Sequence, residues 1–143
     1  MYESYTRQAL PSKNYRELLG TALCVFNANN SFIIENILRT NNDNYDWYKL
    51  IDKESGKLDK YIKETITKNS NNEIEKLFIE IVEKRNRIIH SYQITDQNGE
   101  QILATKTRQK DGSKQFNITE KYLLEFIELN QKLSSSLHDY RGY

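Results

Sequence analysis

The chain has 143 residues, 29% of them charged and 37% hydrophobic, and a formal net charge of +1. That length suits one domain with a single core, and so even a charge balance excludes a global positive field for nucleic acid, leaving only a local patch for such binding. The lone Cys24 excludes an internal disulfide and a zinc–cysteine cluster; it is expected to act as a small buried hydrophobe, in the reducing setting of the cytoplasm.

Residues 1–9 are polar and lack the basic flank and apolar core of a signal peptide. No apolar run approaches the roughly 20 residues that span a bilayer, so no membrane partner is expected. Pro11 with Ser12 or Asn14 marks the start of a helix. From there to about residue 39, Tyr15, Leu18, Leu19, Ala22, Leu23, Phe26, Ile33, Ile37 and Leu38 recur at helical spacing. Asn29 interrupts the stripe, so its amide needs a hydrogen-bond partner in a polar pocket or interface, or else marks a solvated kink near Gly20 or the asparagines. Residues 40–44 form a loop. Tyr45, Trp47, Tyr48, Leu50 and Ile51 begin a second helical region, which Gly56 weakens and which Leu58, Tyr61, Ile62 and Ile66 continue. This is either one bent helix or a short one followed by a longer one. After a loop at 68–72, a third helix runs from about residue 73 to 90, with acids early and Arg85, Arg87 and His90 late, as the helix dipole favours.

Beyond Tyr92 the period changes. Asn98-Gly99 and Asp111-Gly112 are tight-turn signals, and the segments 93–95, 101–107 and 114–118 suit short strands. Thr119 caps a last helix running to about residue 136. The expected fold is mainly α: a four- to five-helix bundle in one domain, with a small antiparallel β-hairpin or meander at about 93–118, before the last helix.

The stretch Glu83-Lys84-Arg85-Asn86-Arg87-Ile88-Ile89-His90-Ser91-Tyr92 concentrates the functional groups. Ile74, Leu77, Phe78, Ile81, Val82, Ile88 and Ile89 draw an apolar stripe, and Arg85 falls near its middle. A guanidinium does not give up its charge, so there it needs an acid, a phosphate or an open cleft. His90 and His138 stand far apart, with no HExxH, paired cysteines or spaced aspartates, and no glycine-rich loop opens a helix; neither metal nor cofactor is expected. Asn86 and His90, at i and i+4, share one face, whereas Arg85 lies about 140° from His90 on an ideal helix. Both reach one cleft only if Arg85 folds around, the helix loosens, or a second copy completes the site. An imidazole, a permanent cation and an amide suit phosphodiester transfer. The imidazole takes a proton from the 2′-hydroxyl of RNA, and the guanidinium holds the phosphate. A structural reading of the same residues has His90 capping the helix, Glu83 pairing with Arg87, and Tyr92 in the core.

Arg85-Asn86-Arg87-Ile88-Ile89-His90, late in a helix ahead of the last one in a small helical bundle, resembles the R-x(4–6)-H motif of the HEPN superfamily. The resemblance implies a metal-independent endoribonuclease of the toxin–antitoxin, abortive-infection or antiviral-defence type. It implies a homodimer whose two motifs face each other across a composite cleft, and an antitoxin or regulatory partner. It makes Arg85 and His90 the catalytic pair and Asn86 a supporting polar group. Read on to Tyr92, the motif is similar to that of HEPN toxins in which this tyrosine is modified with AMP; the strands after Tyr92 depart from that pattern. Arg87, Lys106, Arg108, Lys110 and Lys114 are the candidate RNA contacts. The alternative is a non-catalytic HEPN-like module that binds a protein partner or a nucleotide.

Overall fold

The structure is a computed structural model and describes residues 1–142. Helix α1 spans Lys13–Thr40 and starts where Ser12 accepts a hydrogen bond from the backbone N–H of Tyr15 at 3.1 Å. It runs unbroken through Gly20 and the asparagines. Asn29 is buried, and its amide donates to the backbone oxygen (2.8 Å) and side-chain oxygen (3.0 Å) of Asn130 in α5, Glu120–Arg141. Asn130 in turn donates to the carbonyl of Phe126, so both buried amides are satisfied. Cys24 departs from expectation. It is exposed, because two residues before the buried Phe26 is about 200° round the helix, on the outer face.

The second region is a short helix followed by a longer, irregular one. Asp46 caps α2, Trp47–Ile51. A 3₁₀ turn at Ser55–Lys57 then leads to α3, Asp59–Ile62, which continues as a π-turn over Lys63–Thr67. The break is fixed by Ser55, buried and donating to the Asn30 side chain of α1 at 2.7 Å. Within the π-turn the hydroxyl of buried Thr65 donates to the Tyr61 carbonyl.

Helix α4, Glu73–Ile89, buries Ile74, Phe78, Ile81, Val82 and Ile88. The core gathers around Phe26 of α1, whose ring lies 6.4 Å from Phe78 of α4 and 6.4 Å from Phe126 of α5. Contacts between α1 and α5 advance together, Tyr15 with Ile118 at the foot of α5, then Asn29 with Asn130, then Thr40 with Tyr140, so these helices run parallel. Helix α4 opposes them: Lys84 meets Tyr122, while Ile74 borders the cleft of Ser136 and Tyr140.

The excursion is a three-stranded antiparallel meander of β1 (Tyr92–Thr95), β2 (Gln101–Lys106) and β3 (Gln115–Ile118), in that order. The register pairs Tyr92 with Ala104 and Leu103 with Ile118. Asp96 closes the first turn by accepting from the N–H groups of Asn98 and Glu100, and Gly99 supplies its positive φ of 79°. The Tyr15 phenol ties sheet to bundle: its Oη donates to the Ile118 carbonyl (2.6 Å) and accepts from Leu103 N–H (3.0 Å). Thr119 caps α5 as its sequence predicts. The helix continues beyond residue 136 because Leu137 is buried and Arg141 pairs with Glu35 at 2.8 Å.

Candidate functional site

The motif occupies the last turns of α4 and the first residue of β1. His90 is the C-cap, with its N–H bonded to the Asn86 carbonyl at 2.9 Å, so the helix does not loosen before it. The imidazole is exposed and has no ion pair or ring contact among the described residues. The His90 carbonyl accepts from the hydroxyl of Thr105, which is fully buried in β2. Chain direction after the imidazole is therefore set by the sheet.

Arg85 takes the other side of the helix. Its guanidinium carbon lies 4.8 Å from the centroid of the Phe26 ring, a cation–π contact. Among the described residues it has neither a hydrogen bond nor an ion pair, and its buried Nε is left without an acceptor. Burial pulls the guanidinium below its ordinary value, since leaving water disfavours the charged form. The charge persists even so. A half-buried cation with no acidic partner on one face, and an unengaged imidazole about 140° round on another, are what a single copy presents.

Asn86 points elsewhere again. It lines a cleft of about 260 Å³ between α4 and the 3₁₀ turn, walled by Phe78, Ile79 and Val82 and edged by Ser55 and Asp59. Its side-chain amide makes no hydrogen bond within the described residues. Ile79, Glu83, Asn86 and His90 follow one another at four- and three-residue steps along a single row of α4. The structure thus joins Asn86 to His90 along one face and leaves Arg85 apart. Ser55 and Asp59 were not legible as site residues: they stand about thirty positions from the motif, in a region whose helix pattern is broken.

The five basic candidates divide into two groups. Arg87 is held in place, its Nε 3.5 Å from Glu83 and its Nη1 donating to the Lys106 carbonyl at 2.6 Å. Arg108 shares the same Glu83 oxygen at 3.4 Å and also meets Asp111 at 3.3 Å. These two arginines pin the β2–β3 hairpin onto α4. Lys106, Lys110 and Lys114 are exposed near the tip of that hairpin, without ion pairs among the described residues. Tyr92 is not in the core. It is 42% exposed at the start of β1.

No group of three His, Cys, Asp or Glu side chains able to hold a metal occurs among the described residues. No helix among them is long and apolar enough to cross a membrane. Comparison with family models, curated proteins and solved structures yields no match for this chain.

Proposed function

We propose that the chain is a metal-independent endoribonuclease of toxin or defence type, acting on single-stranded RNA at a site completed by a second copy. The observation that carries this reading is Arg85: a half-buried guanidinium without an acidic partner among the described residues, on the helix that ends in an exposed, unengaged His90. A cation kept partly out of water against an aromatic ring gains most from an anion that brings its own charge, and a phosphodiester is such an anion. His90 takes the proton from a 2′-hydroxyl, the 2′-oxygen attacks phosphorus, and the bond to the 5′-oxygen breaks. The products are a 2′,3′-cyclic phosphate and a 5′-hydroxyl, and the leaving oxygen is protonated by the imidazolium. Arg85 of the same or the second copy holds the phosphate as charge develops. The two-fold symmetry of a homodimer answers the angular separation of the two side chains on one helix. Lys106, Lys110 and Lys114 supply backbone contacts, and an antitoxin or regulator keeps the activity in check.

The second reading, a non-catalytic helical module that binds a protein or a nucleotide, draws on the same geometry. Arg85 rests on Phe26, away from His90, and a monomer with that arrangement has no assembled pair.

Expression separates the two. An active ribonuclease arrests its host, so wild type yields few viable transformants while His90→Ala and Arg85→Ala yield normal numbers. Equal yields of all three, with the soluble protein recovered folded, contradict the ribonuclease reading.

A further inference from the structure

Apart from the motif's pair, the chemistry best placed beside His90 is the cleft that Asn86 lines. We propose that this cleft is a nucleobase subsite selective for guanine; the inference rests on the ribonuclease reading above for the polymer it acts on. At about 260 Å³ it falls just under the ~300–1,000 Å³ of pockets that hold drug-sized ligands, a size for one ring system rather than a folded nucleotide. Phe78, Ile79 and Val82 give it an apolar wall. Gly56 keeps it open on the opposite side, where a Cβ would meet only Val82 at 3.8 Å.

Its polar lining is Ser55, Asp59, Glu83, Asn86 and Arg108; the Ser55 hydroxyl is spent on Asn30, and Arg108 is paired with Glu83 and Asp111. Asn86 offers an uncommitted amide. Asp59 accepts from the backbone N–H of Lys60 with one oxygen (2.8 Å) and forms no ion pair among the described residues, so its other oxygen and the second lone pair of the first remain for a ligand. Glu83 is already shared by Arg87 and Arg108. A carboxylate accepts and does not donate, so the favoured base is one that presents adjacent N–H donors. Guanine does so through N1 and its 2-amino group, and its O6 is an acceptor for the Asn86 amide. Adenine and cytosine offer one amino group beside a ring acceptor that would face the carboxylate, and uracil offers a single N–H between two acceptors.

The register adds position to chemistry. Asn86 and His90 are one turn apart on the same row of α4, about 6 Å along the axis. A base seated against Asn86 leaves its ribose and phosphate to run toward the imidazole. Asn86 is then a specificity-determining residue rather than a member of the catalytic pair.

The test pairs binding with cleavage. Purified protein is titrated with the four 3′-nucleoside monophosphates and followed by amide NMR shifts, and separately given two oligoribonucleotides that differ only in one unpaired guanosine replaced by adenosine. The expected result is saturable binding of the guanosine nucleotide, about tenfold or more tighter than the others, with shifts centred on residues 55–59 and 79–86. Asn86→Ala and the isosteric Asp59→Asn should each weaken it by about tenfold, and cleavage should fall beside the guanosine. Guanosine nucleotide binding with neither RNA cut supports the subsite as a receptor for the free nucleotide and defeats the ribonuclease. Cleavage of both RNAs alike, with the four nucleotides bound equally or not at all, overturns the subsite and leaves the ribonuclease standing.

Discussion

Half-burying a guanidinium against a phenyl ring with no carboxylate to meet it costs stability that an apolar side chain of similar length does not. Arg85→Met should therefore leave the urea midpoint unchanged or raise stability by up to about 1 kcal/mol, while abolishing RNA cleavage. A loss of more than about 2 kcal/mol would make the contact with Phe26 a structural one, beyond the usual worth of a cation–π pair. Tyr15 makes the opposite case, a polar group fully used. Tyr15→Phe removes one hydroxyl and two hydrogen bonds, to Ile118 and from Leu103, and should destabilise the fold by about 1–3 kcal/mol in denaturant titration. The phenols also predict an alkaline response. Burial raises Tyr15, and burial pushes Tyr122 up to about 12. The folded state then holds these protons more tightly than the unfolded state, whose tyrosines ionise near pH 10. Stability should be flat below that pH and fall as pH climbs from about 10 toward 12, read as a dropping Tm. Single residues were legible in the sequence where burial follows period, as with Arg85 in mid-stripe; at Asn29 the spacing left a partnered amide and a solvated kink both open, and only the contact with Asn130 decides between them. Cys24 was misjudged because a polar helix face tolerates an isolated apolar residue, and one residue carries no period.

At the scale of elements, α4 is linked to the β2–β3 hairpin by Glu83, which meets Arg108, and by Arg87, which donates to the Lys106 carbonyl and is braced by the same glutamate. Glu83→Gln should loosen the hairpin without unfolding the bundle, costing about 1 kcal/mol or less because the Arg108 arm is exposed. Faster amide exchange over residues 104–117, with α1 and α5 unaffected, is the expected signature. The existence and order of the long elements could be read from spacing and turn chemistry. Asn98-Gly99 and Asp111-Gly112 announce the meander, and Thr119 announces α5. The shape of residues 45–67 could not, because it depends on a tertiary hydrogen bond from Ser55 to Asn30 and on a π-turn, neither of which leaves a periodic trace. The cleft beside Asn86 was hidden for the same reason. Its walls come from two segments that only folding brings together.

For the whole molecule, the parallel pairing of α1 with α5 links residues about a hundred positions apart, as with Tyr15 and Ile118 or Asn29 and Asn130. Everything in between must be looped out before that contact forms, so refolding should be slower than the microseconds to milliseconds of bundles built on local contacts. In native-state exchange, α1 and α5 should open together as one unit. The same pairing fixes Phe26 beneath Arg85, and the meander fixes the path of the chain after His90. The bundle and the meander thus both hold the motif in place.

The central claim is that Arg85 and His90 cleave RNA. It is tested most directly by incubating end-labelled single-stranded RNA with purified protein in excess chelator, comparing wild type with Arg85→Met and His90→Ala. Cleavage by wild type alone, with 2′,3′-cyclic phosphate and 5′-hydroxyl ends, is the predicted result. An intact substrate with folded wild-type protein over a range of RNAs, or equal cleavage by all three proteins, would contradict it.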